Sequence, residues 1–235
     1  MNRRGLSMLL LNITFILLTG TLTAECQVIG ETLPKKISRS EKYVFYLHGG
    51  VVTVLGNNAI NQSMPEWGPY EYLNILDSLR SRGFNVISEN RKQGIDDTTY
   101  SNKIRHQIDT LLSKGVIEKN ILILGASAGW NVVLQVSEKM QNNKLKYVIM
   151  GGCWPETYKD YEATKLYGHF LSIIEASDPH GTCFKIFVQE DSRGEKRKGI
   201  SSYEEITLHT GLSHGFIYKG HKEWIDPVVK WSAKK

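Results

Sequence analysis

The sequence predicts an α/β protein with a mainly parallel sheet of about six strands and helices on both faces. Three observations support this prediction. Short apolar, β-prone runs alternate with longer runs whose apolar residues recur at helical spacing. The residues suited to chemistry fall at the C-terminal ends of the strand-like runs, where ligands gather in such sheets. A stretch of small residues, Gly125-Ala126-Ser127-Ala128-Gly129, joins one of those strands to a helix. Right-handed crossovers between parallel strands then place helices on either side.

The elements follow in order. Tyr43–Leu47 is apolar and β-prone, and 70–82 has apolar residues at 72, 73, 75, 76 and 79, which is helical spacing. A short strand covers 84–88. The next helix, 98–114, puts Ile104, Ile108, Leu111 and Leu112 on one face and stops at Gly115. Strand 120–124 and helix 130–140 flank the small-residue turn. Strands at 146–150, 170–174 and 203–208 follow, and a helix over 224–231 closes the chain. The segment between the strands at 146–150 and 170–174 is too short for a large lid domain.

Before these elements lies a different kind of sequence. Asn2-Arg3-Arg4 precedes a mostly apolar run from Leu6 to Leu18, then Thr21-Leu22-Thr23-Ala24. This reads as a signal peptide, residues 1–24, cleaved after Ala24; its apolar core is shorter than the ~20 residues a membrane span needs. Residues 25–41 read as an N-terminal arm and 42–235 as one domain. The expected product is exported, periplasmic or secreted, without a stable membrane anchor. Of the chain's 235 residues, 41% are apolar and 10% aromatic, which suits one globular domain. Losing Arg3 and Arg4 lowers the formal charge from +5 to about +3, too little to imply nucleic acid. The basic run 193–199 reads as a solvated loop. An exported chain can form disulfides, and Cys153 and Cys183 fall where a bridge is expected, leaving Cys26 in the arm. No cysteine pair has metal-ligand spacing and the histidines are scattered, so neither a zinc site nor a cofactor is expected. Asn61-Gln62-Ser63 matches a glycosylation sequon.

The chemistry centres on Gly125-Ala126-Ser127-Ala128-Gly129. A strand, a sharp turn of small residues and a helix form the context that makes Gly-x-Ser-x-Gly a nucleophile elbow. A serine hydroxyl is a poor nucleophile at neutral pH. It needs a base within hydrogen-bond reach, and that base needs an acid to hold its tautomer. His214, between Ser213 and Gly215 after the last strand, suits the base, because imidazole titrates near neutrality. Asp178, at the end of Ile173-Ile174-Glu175-Ala176-Ser177-Asp178, suits the acid. Glu175, Glu190 and Asp191 compete with it; Asp191 would lead if 184–188 were the penultimate strand. His48-Gly49-Gly50 follows the first strong strand. Backbone N–H groups of Gly50, Val51 and Ala128 are candidates for an oxyanion hole. Trp67, Trp130 and Trp154 lie near strand-end loops, where they either line an apolar pocket or simply pack. His180, just past Asp178, is a candidate rim residue.

On Tyr46-Leu47-His48-Gly49-Gly50, Gly125-Ala126-Ser127-Ala128-Gly129, Ser177-Asp178 and Ser213-His214-Gly215, most of residues 42–231 resemble the α/β-hydrolase superfamily, narrowly its small serine esterase- or lipase-like members. The resemblance implies Ser127 as nucleophile, Asp178 as acid and His214 as base, acting on a small-molecule acyl substrate. It implies a minimal α/β-hydrolase fold with an abbreviated N-terminus, no large lid and an open site. A peptidase or thioesterase on the same residues, or a non-catalytic binding protein on the same scaffold, are the alternatives.

Overall fold

Residues 43–47 send successive side chains into two separate apolar layers, and that alternation organises the molecule. Tyr43, Phe45 and Leu47 enter one core, while Val44 and Tyr46 enter the other. A strand buried on both faces belongs in the middle of a parallel sheet covered by helices. The computed structural model describes residues 27–161, 164–180, 182–187 and 199–234. Its strands are β1 (Ile29–Gly30), β2 (Lys42–Leu47), β3 (Phe84–Ile87), β4 (Ile121–Ala126), β5 (Lys146–Met150), β6 (Gly168–Glu175) and β7 (Ile200–Leu208). Its helices are α1 (Gly50–Leu55), α2 (Tyr72–Arg80), α3 (Asp97–Ser113), α4 (Gly129–Met140), α5 (Tyr158–Tyr161), α6 (Phe184–Phe187) and α7 (Lys222–Ser232).

The strands form one sheet in the order β1-β3-β2-β4-β5-β6-β7, parallel throughout. From β2 the chain first steps outward to β3, then returns to β4 on the other side of β2 and continues from there. The order therefore reverses at the β2/β4 pair, and the crevice outside the carboxyl ends of those strands is where such sheets place their ligands. Helices α3 and α4 cover one face through Ile104, Ile108, Leu111, Val132, Val133 and Val136. Helices α2 and α7 cover the other through Ile75, Leu76, Leu79, Trp224, Ile225 and Val228. At the opposite end of the sheet, buried Lys146 donates to the carbonyls of Ser232 (2.7 Å) and Lys234 (2.6 Å), fixing the C-terminal end of α7.

Four features add to the sequence reading or differ from it. The sheet has seven strands rather than about six, because Ile29–Gly30 in the arm adds a two-residue edge strand beside β3. Two residues cannot show a period, so no pattern marked it. Gly50–Leu55 is helical although β-branched side chains disfavour helix there; burial of Val52 in the second core outweighs that preference. Residues Phe184–Phe187 form a helical turn, against the alternative of a strand that would favour Asp191, and Ile186 joins the first core. Strand β7 also begins at Ile200, earlier than its apolar pattern suggests. No helix among the described residues is long and apolar enough to cross a membrane. Residues 1–24, Cys26, Glu190, Asp191 and the basic residues 193–198 lie outside the described residues.

Candidate active site

Ser127 occupies the bend between β4 and α4 with φ of +47°, in the left-handed region that ordinary side chains avoid. The bend is tight enough to exclude side chains on either flank. A Cβ on Gly125 would lie 2.6 Å from the Gly129 carbonyl oxygen, and one on Gly129 would lie 2.1 Å from that of Leu47. Only glycine lets β4, α4 and the end of β2 approach this closely. The Ser127 N–H donates to the Met150 carbonyl at 2.9 Å and its carbonyl accepts from Trp130 N–H at 2.9 Å, so the strained residue is held from both sides.

His214 lies in a 3-10 turn, Ser213–Ile217, just after β7, and Asp178 lies just after β6. These loops converge on the serine. His214 Nε2 is 3.0 Å from Ser127 Oγ, and Nδ1 is 2.7 Å from Asp178 Oδ2. Both His214 and Asp178 are buried, at 6% and 8% exposure, which strengthens the pairing. Burial alone would raise the Asp178 pKa. The His214 hydrogen bond and charge, with the His180 N–H donated to Oδ1 at 3.1 Å, outweigh it and hold the carboxyl below its ordinary range. An ionised Asp178 fixes the His214 proton on Nδ1, leaving Nε2 as the acceptor for the serine proton. Glu175 is turned away from His214: it accepts from Thr210, Gly211 and Ser177.

The turn after β2 faces Ser127. His48 is buried, and its Nε2 accepts the Arg91 N–H at 3.0 Å, so its Nδ1–H donates to the Gly49 carbonyl at 2.9 Å. Burial pushes the His48 pKa down to about 4; the nearby Arg91 cation adds to this, while hydrogen bonds to backbone and the Glu89 charge oppose it. A neutral ring at this site is thus a fixed two-ended brace. Gly50 and Val51 begin α1, where backbone N–H groups lack intrahelical partners. Together with Ala128 at the start of α4, they border the same cavity as Ser127.

That cavity has a volume of about 350 Å³, at the small end for ligand sites. Trp67 stands at one side, its ring 5.6 Å from the His214 ring and 5.4 Å from Tyr218. Trp154 lines it as well, and Trp130 does not: its ring is fully buried against Tyr161 and Trp154. His180 sits at the rim between Trp154 (5.3 Å) and His214 (4.9 Å between ring centres). Sequence reasoning missed Asn61, Tyr70, Glu156, Ile217 and Tyr218, which also border it. They come from loops and carry no motif; position relative to strand ends was the only available cue. Cys153 and Cys183 are disulfide-bonded, tying the loop with Trp154 to the segment after His180.

No protein-family model matches the chain, and no curated protein matches its sequence. Among solved structures it is similar to SOBER1 of Arabidopsis thaliana, with 13% identity over 83% of this chain and 100% of that one, TM-score 0.47. It is also similar to an arylesterase, with 16% identity over 85% of this chain and 77% of that one, TM-score 0.46. A third likeness is the thioesterase domain from the curacin biosynthetic pathway, with 10% identity over 85% of this chain and 93% of that one, TM-score 0.46. The chain's own geometry describes the fold without them: a parallel sheet whose order reverses once, a serine on the strand-to-helix bend after β4, and an acid and a histidine after β6 and β7 make an α/β-hydrolase fold.

Proposed function

We propose that the protein is an exported serine hydrolase that cleaves a carboxylic ester or related acyl bond through an acyl-enzyme. The observation that carries this is the chain of two hydrogen bonds, Ser127–His214–Asp178, opening onto a cavity that Gly50, Val51 and Ala128 also line. In this reading Ser127 Oγ attacks the acyl carbon as its proton passes to His214 Nε2. Asp178 holds the Nδ1–H and stabilises the imidazolium. The N–H groups of Gly50, Val51 and Ala128 receive the oxyanion. His214 then protonates the leaving group, and a water activated by the same ring releases the acid and restores Ser127. The mechanism requires no cofactor. The small cavity and the short connection between β5 and β6 favour a small, water-soluble acyl substrate. Export is supported by the Cys153–Cys183 disulfide, which persists in oxidising compartments, and by the leader-like composition of residues 1–24.

A fluorophosphonate probe tests the reading. The folded wild-type protein is expected to be labelled and to hydrolyse chromogenic esters of short acyl chain, while Ser127→Ala is not labelled. No labelling of folded wild type would leave a binding protein on a hydrolase scaffold. Faster cleavage of peptide amides or thioesters than of esters would move the assignment within the same chemistry.

A further inference from the structure

We infer that Asp178, His180 and His214 form an inhibitory site for a borderline transition-metal cation of the zinc class. The three side chains each present one ligand atom, and those atoms lie within 4.8 Å of one another. Two of them already have roles in the proposed reaction. The third is the informative one. The His180 ring makes no hydrogen bond to any described residue, although it is half-buried beside His214, Trp154 and a carboxylate. The loop that carries it is held in place, since the His180 N–H donates to Asp178 Oδ1 at 3.1 Å. An imidazole that makes no hydrogen bond to a described residue, beside a second imidazole and an acid, completes three of the four positions of a tetrahedral zinc site.

The donor chemistry selects the ion. Two imidazole nitrogens and one carboxylate oxygen suit Zn²⁺, Ni²⁺ or Cu²⁺, whereas Mg²⁺ and Ca²⁺ demand oxygen ligands. Bonds of about 2.0–2.2 Å to a tetrahedral ion place ligand atoms roughly 3.3–3.6 Å apart. The widest spacing in the cluster must therefore close by about 1 Å, which rotation of the His180 ring at the rim can supply, while the Asp178 Oδ2–His214 Nδ1 pair, 2.7 Å apart, must open to admit the ion. A solvent molecule or substrate oxygen would take the fourth position.

The consequence follows from tautomer chemistry and rests on the proposed function. In the resting site the His214 proton lies on Nδ1 and Nε2 is the acceptor. A metal on Nδ1 needs a lone pair there, so the ring's single proton moves from Nδ1 to Nε2. The metal-bound neutral ring then carries that proton on Nε2, facing Ser127. A ring protonated on Nε2 cannot accept the serine proton. Metal binding at this cluster therefore switches the base off by trapping the wrong tautomer, with no net release of protons, and makes the ion an inhibitor rather than a cofactor.

The test separates binding from catalysis. Titration calorimetry with Zn²⁺ on Ser127→Ala, which keeps all three ligands, should show a tight site that Mg²⁺ and Ca²⁺ do not occupy. In the active protein, Zn²⁺ should slow ester hydrolysis and fluorophosphonate labelling, and a chelator should restore both. His180→Phe, which keeps an aromatic ring against Trp154 and His214, should weaken Zn²⁺ binding and inhibition at least tenfold, each variant judged against its own metal-free rate. His180→Ala serves the same purpose if the phenylalanine variant does not fold. Absence of Zn²⁺ binding to Ser127→Ala, equal affinity in the His180 variants, or equal inhibition by Mg²⁺ would overturn the site. Zinc binding that depends on His180 in a protein that cleaves no ester would instead uphold the site and overturn the hydrolase reading.

Discussion

Glu175 accepts both the N–H and the hydroxyl of Thr210, at 3.0 Å and 2.8 Å, and so joins the loop that carries Asp178 to the loop that carries His214. The same carboxylate accepts from Gly211 N–H at 3.2 Å and from the Ser177 hydroxyl at 3.1 Å. It is 2% exposed, and burial would raise its pKa, but these donors outweigh burial and leave it below its ordinary value. Glu175 is thus a positioning residue beneath the acid and base, while Asp178 is the carboxylate that touches the imidazole. Glu175→Gln should destabilise the protein by about 1–3 kcal/mol, because an amide cannot accept from all the donors gathered there. It should lower kcat by about tenfold, far less than the roughly 10⁴-fold expected for Asp178→Asn, which corrupts the tautomer. The Glu175 contribution is present above its ordinary pKa of 4.5 and is lost as pH falls through the depressed folded value, so the variant's deficit should shrink in acid. Steady-state kinetics and urea unfolding at two pH values check both parts. An equal loss of kcat in the two variants would contradict the assignment.

His48 gives a second pH prediction, with the opposite kind of group but the same direction. The folded ring has its pKa lowered from 6.5 to about 4, so it is neutral when an unfolded histidine would already be charging. The unfolded chain binds the extra proton, and stability must fall as pH drops from about 6.5 to about 4. The shift bounds this contribution at about 3 kcal/mol. His48→Phe removes the titration, leaving the Arg91 N–H and Gly49 carbonyl unpaired at a cost of about 1–3 kcal/mol each way. The variant should be clearly less stable than wild type at pH 7, with the gap narrowing near pH 4. Because Gly49 precedes the Gly50 and Val51 N–H groups, its kcat should also fall while KM changes less. A stability gap that stays constant with pH would show that the ring is not held neutral.

The sequence made the sheet's central elements legible because their signals are local. Tyr43–Leu47 and Ile121–Leu124 are continuous apolar runs, and α3 shows its face in Ile104, Ile108 and Leu111. The motif residues were legible for a related reason: small residues crowd around Ser127 because the backbone there leaves no room for others. What stayed hidden depends on contacts between distant segments. Choosing between Glu175, the last residue of β6, and Asp178 just beyond it requires knowing which way each side chain turns, and three residues of separation at a strand end carry no such information. Trp130 and Trp154 looked equivalent in sequence. One is buried in the first turn of α4 and the other, next to the Cys153–Cys183 bridge, borders the cavity. The wall residues Tyr70 and Tyr218 meet, with rings 4.9 Å apart, only because the α1–α2 connection folds back over the site.

The disulfide should matter for both stability and site shape. It closes a separation of 30 residues that includes α5, β6, Asp178 and His180. Cross-linking a loop of that length restricts the unfolded chain and is worth about 2–4 kcal/mol. Cys153→Ser with Cys183→Ser should lower the urea midpoint accordingly. Since Trp154 is adjacent to Cys153 and packs on His180, the double variant should also show a raised KM with a smaller change in kcat. Reduction of the wild-type protein by a small thiol should reproduce both effects. Unchanged stability on reduction would mean that the bridge contributes nothing to holding the β5 and β6 loops together.

Gly151 offers the sharpest test of how little room the base has. It follows β5 with φ of +54°, and its N–H donates to the Ile173 carbonyl at 3.2 Å. A Cβ added there would stand 2.9 Å from His214 Cε1 and 3.1 Å from Nδ1, on the edge of the ring that faces Asp178. Gly151→Ala therefore does two things: it strains the backbone by about 1–2 kcal/mol and it pushes the imidazole off the Ser127–Asp178 line. A displacement approaching 1 Å can cost about 10²-fold in rate. Gly83→Ala separates the two effects, because Gly83 has φ of +88° and nothing within 4 Å of the added carbon. Both variants should lose similar stability in urea, but only Gly151→Ala should lose kcat and slow its fluorophosphonate labelling. Equal activity in the two variants would show that His214 has slack the geometry does not reveal, and would weaken the case that these hydrogen bonds set the rate.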